Sequence, residues 1–163
     1  MASVRDIILA MVVVFMFGLG FFVINYALNT TFNSMIQVEA INQSAGTVAV
    51  FEGTQTGLLG KLDYIVLGLF IGLTLGIIVT GYFLGGYPIF AFFYFIVLII
   101  GVVLSAVMSN VWETFSTTAI FGTTINAFPL TNHLMNYLPY YCAVVGFIGI
   151  VAMFAKPLLG GAE

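Results

Sequence analysis

The residues that could carry chemistry are few and far apart. His133 is the only histidine and Cys142 the only cysteine. A metal site draws on several donors of the Cys, His, Asp and Glu type, and no second histidine or cysteine is present to join either residue. A haem held by two histidines is excluded within the chain, and so is an intrachain disulfide. Ser116, His133 and Asp63 have the residue types of a nucleophile, a base and an orienting acid. Nothing in their spacing supports a triad, and no GxSxG, P-loop or HExxH pattern occurs. The sequence therefore predicts no catalytic, cofactor-binding or metal-binding residue, and a protein that is not an enzyme.

The composition explains this poverty. Hydrophobic residues make up 62% of the 163 and charged residues 6%, against about 45–50% and about 25% in soluble domains. So few charges cannot cover a water-facing surface, and the hydrophobicity excludes disorder. The chain reads as a single all-α membrane domain. Three basic and six acidic residues leave a net charge of −3, so no basic patch exists for direct nucleic-acid binding.

Four apolar runs are long enough to cross a bilayer, which needs about 20 residues. They cover residues 7–28, 64–84, 88–109 and 137–159. The first is expected to be an uncleaved anchor, because it is long and no clean small-x-small site follows it. Polar connections fill 29–63 and 110–136. Arg5 and Lys156 flank the terminal side and Lys61 the other, so the charge rule favours termini inside. Glu39, Glu52, Asp63 and Glu113 make the opposite side acidic.

Spans two and three are joined only by Gly85-Gly86-Tyr87, ahead of Pro88, and read as a tight helical hairpin. Span two carries Gly68, Gly72 and Gly76; span three carries Gly101, Ser105 and Ser109. Residues four apart share a helix face, and small ones let helices approach closely in lipid. Gly72 and Gly101 are equidistant from the hairpin turn, as are Gly68 and Ser105. The two strips are expected to pack together, with Gly72→Leu forcing the helices apart. Lys61 and Glu113 lie at one level at the hairpin mouth and are expected to form an ion pair. Asp63 begins span two, where a carboxylate suits the helix dipole.

In the first connection, Ala45–Gly53 reads as irregular or short extended structure. Asn29-Thr-Thr and Asn42-Gln-Ser match the glycosylation sequon. In the second, Trp112, Phe115, Phe121 and Phe128 read as an interfacial aromatic belt, or as a surface for docking a partner. Asn136 is placed to cap span four, with Pro139 in its first turn. The span interiors hold only neutral polar groups such as Asn25, Thr74, Thr80 and Ser105. Ion pathways usually place ionisable residues there, so a proton-coupled transporter is not expected.

One set of short motifs points further: Asp63, then Tyr87-Pro88-Ile89-Phe90, Ser109-Asn110-Val111-Trp112-Glu113, Phe128-Pro129, Asn132, Asn136, Leu138-Pro139, Gly146 and Lys156. Over about residues 60–156 the chain resembles small integral membrane proteins of tailless icosahedral viruses, including phages, with an internal lipid membrane. The resemblance implies a structural protein of the virion's internal membrane, present in the host cytoplasmic membrane during assembly. Its implied partners are membrane lipid, further copies of itself or other membrane proteins, and capsid proteins, with no enzymatic activity. Two other readings stay open: a small accessory subunit of a larger membrane complex, and a holin-like pore former. The tail after Lys156, Pro-Leu-Leu-Gly-Gly-Ala-Glu, lacks the basic charge usual in holins.

Overall fold

The computed structural model describes residues 4–57, 59–84, 88–122 and 124–159. Among them the chain is almost wholly helical and contains no strand. The Gly85-Gly86-Tyr87 connection and the last residues of the tail lie outside the described residues.

Helix α1 runs Val4–Ile36. At 1.5 Å per residue its 33 residues extend about 50 Å, well past a hydrocarbon core of about 30 Å. It continues through Asn29-Thr30-Thr31, where hydroxyls bond back to the helix's own carbonyls. Thr31 Oγ1 donates to the Ala27 carbonyl and Ser34 Oγ to that of Thr30, both at 2.8 Å. Beyond Ile36 the chain turns through Val38, in extended backbone, into the short α2, Glu39–Asn42. Helix α3, Ala45–Gly57, then folds back. Phe51 meets Phe32 with ring centroids 5.4 Å apart, and Gln55 Nε2 donates to Asn33 Oδ1. No residue of α2 or α3 is buried.

The segment expected to be irregular at Ala45–Gly53 is thus helical. Ser44 supplies the carbonyl that accepts from the Thr47 and Val48 amides. Thr54 and Thr56 donate their hydroxyls to the carbonyls of Val50 and Glu52.

A 3-10 turn at Leu59–Lys61 leads into α4, Leu62–Leu84. Helix α5 runs Pro88–Ser116, seven residues beyond the expected end of span three. Short 3-10 turns lead to α6, Pro129–Asn136, which meets α7, Leu138–Leu159, at a bend of 72°. Three helices are long and apolar enough to cross a membrane, and the bent α6–α7 pair makes a fourth when taken as one span. The protein is an all-α membrane protein.

Helix α7 packs along both α5 and α4, and α1 closes the bundle against α4 and α5. On α5, Tyr94, Leu98 and Gly101 face Gly149, Gly146 and Cys142 of α7 in turn. Each step forward on one helix is a step back on the other, so the two run antiparallel. The larger buried cluster, around Phe22, Val66, Trp112, Phe128 and Met135, sits at the loop end. A smaller one, of Met11, Tyr94, Leu98 and Cys142, lies nearer the terminal end. The outward faces carry exposed apolar residues such as Ile71, Leu75, Val103 and Phe147, as a lipid-facing surface requires.

Candidate functional site

The polar side chains converge where α6 crosses the loop end of the bundle. Helix α6 begins Phe128-Pro129, and Phe128 in the N-cap position makes no side-chain capping bond. The first amides of a helix have no partner within it. Asp63, in the first turn of α4, supplies one from 67 residues away. Its Oδ2 accepts from the Leu130 amide at 2.9 Å and its Oδ1 from the Thr131 amide at 2.7 Å. The carboxylate is 2% exposed. It therefore serves two helix N-termini, the expected one of α4 and the unforeseen one of α6.

Trp112 sets a second group in order. It is fully buried, and its Nε1 donates to Asn132 Oδ1 at 3.0 Å. An indole N–H only donates, so the atom it meets must be the amide oxygen. Asn136 Nδ2 donates to the same oxygen at 3.2 Å, which leaves Asn136 Oδ1 as the group turned elsewhere. Ser109 Oγ donates to the Asn136 carbonyl, tying α5 to the end of α6. Thr131 Oγ1, buried beside this network, makes no hydrogen bond among the described residues.

Above these bonds Phe22 of α1 is the hub of an aromatic cluster. Its ring stands 5.4 to 5.8 Å from those of Trp112, Phe115, Phe121 and Phe128. Phe115 and Phe121 stack at 4.5 Å. The expected aromatic belt is instead the packed interior of the loop end: Trp112 and Phe128 face neither lipid nor a partner. Asn25, almost fully buried on α1, donates to the Leu59 carbonyl and accepts from Asn29.

The predicted hairpin interface does not form. At Gly68 and Gly72 the strip on α4 points into open space, and nothing stands within 4 Å of a Cβ built there or at Gly76. The strip on α5 is filled by other helices, because α7 wedges between α4 and α5. A Cβ on Gly101 would stand 3.4 Å from Met11 Cε and 3.6 Å from Cys142 Sγ. Ser105 is buried, and Ser109 reaches α6. The glycines that admit close approach in α7 are Gly146 and Gly149, where a Cβ would overlap Leu98 and the Tyr94 hydroxyl.

Lys61 and Glu113 are both exposed and form no ion pair among the described residues. With α7 between the helices and α6 across the mouth, equal depth does not bring them together. The triad residues are engaged elsewhere: Asp63 is bound to α6 amides, Ser116 Oγ donates to the Glu113 carbonyl, and His133, exposed on α6, lies against the Tyr137 ring. Among the described residues no three His, Cys, Asp or Glu side chains cluster as a metal site would need.

Two openings flank α6. An apolar groove of about 270 Å³ between α4, α6 and α7 has His133 among its lining residues. A larger, polar cleft of about 670 Å³ lies between the end of α5 and α6, with Glu113, Asn132, Asn136 and Tyr137 in its wall. Glu113 was expected to face Lys61 and lines this cleft instead. Searches against protein-family models, curated proteins and solved structures find no match for this chain.

Proposed function

We propose that the chain is a non-enzymatic structural protein of a membrane, acting in the internal membrane of a virion. The observation that carries this reading is where its buried polar groups go. Asp63, Asn25, Trp112 and Asn132 all bind other parts of the same chain and hold the loop end of the bundle as one unit. The rest of the surface is divided between apolar helix faces turned outward and an arm beyond the bilayer. That arm, the end of α1 with α2 and α3, has Glu39 and Glu52 exposed and no base in residues 29–60. It is suited to meet coat proteins from the membrane side, while the spans fill and organise the vesicle beside further copies. The virion setting rests on the resemblance of residues 60–156 to membrane proteins of viruses with an internal membrane.

Density-gradient separation of a culture supernatant, with the protein quantified by mass spectrometry across fractions, tests this directly. Co-migration with nuclease-protected DNA and a coat protein is the expected result. A peak only with cell membranes would overturn the virion reading and favour an accessory subunit, for which the open Gly68–Gly72 face of α4 would be the docking side.

A further inference from the structure

The cleft between α5 and α6 has a lining whose hydrogen-bond polarity is fixed by the bonds around it. Ser109 Oγ donates to the Asn136 carbonyl, and Ser116 Oγ and Thr117 Oγ1 both donate to that of Glu113. A hydroxyl that has committed its single proton can only accept further bonds. Asn136 turns its Oδ1 away from the Trp112–Asn132 bond, so it too is left as an acceptor. The Glu113 carboxylate makes no hydrogen bond or ion pair among the described residues. The lining is therefore rich in acceptors and carries one negative charge. Its side-chain donors include the Asn132 amide nitrogen, whose oxygen is held by Trp112, and the Tyr137 hydroxyl. The phenol ring of Tyr137 adds an aromatic wall suited to a cation.

Depth narrows the ligand. Helix α5 starts at Pro88, and about 20 residues cross the hydrocarbon, which therefore ends near Ser109. Glu113 lies four residues further, about 6 Å along the axis. The headgroup layer is roughly 5–7 Å thick on each side, so the cleft opens within it. The abundant cation of that layer is the ammonium group of a phospholipid. A divalent metal wants six or more oxygens and usually more than one carboxylate, whereas a primary ammonium brings three donors to a lining of acceptors. A quaternary ammonium brings none.

We propose that this cleft is a headgroup site for an ethanolamine phospholipid. The ammonium is held by Glu113 together with Asn136 Oδ1 and the Thr117 hydroxyl, and the phosphate oxygen accepts from the Asn132 amide. The assignment does not depend on which membrane carries the protein.

The test is native mass spectrometry of the delipidated full-length protein in detergent, titrated with phosphatidylethanolamine, phosphatidylcholine and phosphatidylglycerol of identical acyl chains. The ethanolamine lipid should be retained about tenfold more tightly than either other lipid, as expected for a charge-assisted bond. Glu113→Gln should erase that preference. Glu113 is exposed and its carboxylate is unbonded, so thermal unfolding of this variant in lipid-free detergent should match the wild type. Thr117→Val, which removes one acceptor and keeps the charge, should weaken retention about threefold. Equal retention of the three lipids, or an ethanolamine preference that survives Glu113→Gln, would overturn the site. Binding of soluble phosphoethanolamine without binding of the lipid would overturn the lipid assignment.

Discussion

Helices α4 and α5 flank the same partner, α7, and each carries a strip of small residues four apart. The strip on α5 is filled: Met11 and Cys142 press on Gly101, Ser105 is buried, and Ser109 is tied to α6. The strip on α4 faces open space at Gly68 and Gly72. Small residues permit close approach, but they do not choose the partner. That choice depends on which helix the rest of the chain delivers, and α6, latched by Asp63, delivers α7 between the two helices, against the α5 strip and against a face of α4 other than its glycines. A closed side and an open side of one bundle thus share the same sequence signal.

Four substitutions would sharpen or break this contrast, each read as unfolding free energy in detergent. Asp63→Leu should have the largest effect, a loss of about 4 kcal/mol, since two buried amides of α6 lose charge-assisted bonds. Hydrogen exchange should rise at the Leu130 and Thr131 amides first. Unchanged exchange there would mean that α6 is held by its apolar face alone. Gly146→Leu, on the closed side, should lose about 3 kcal/mol, because the new side chain collides with Leu98. Trp112→Phe should lose about 1 kcal/mol, keeping most of the ring packing but not the bond to Asn132. Gly72→Leu, on the open side, should change the monomer's stability by no more than about 0.5 kcal/mol. A large loss at Gly72 would show that a helix covers the α4 strip after all and would restore the hairpin interface.

The polar end of the molecule was only partly legible beforehand. Asp63 stands out in the sequence as an acid opening a helix, and that reading holds. Its second role was foreshadowed by one weak sign: Phe128-Pro129 starts a helix without any of the usual capping side chains. The Lys61–Glu113 pair failed because depth is a single coordinate, and two residues at one depth can lie on opposite flanks of a third helix. The aromatic residues of 110–136 misled for a similar reason. Trp and Phe near a membrane surface suit an interface and a core equally well, and Phe22, far off on the first helix, is what gathers them inward.

What the sequence determines alone is local. The lengths of the apolar runs against the thickness of a bilayer set the positions of the spans, and Pro88 and Pro139 fall in first turns where a missing amide costs little. What only the tertiary structure decides is which face of each span turns inward. In water an amphipathic pattern announces the buried side. In lipid both the packed and the exposed faces are apolar, so the periodicity that would order the helices is absent. The order is set by a few polar contacts at the loop end, Asp63 to α6 and Trp112 to Asn132, made between residues that lie far apart along the chain.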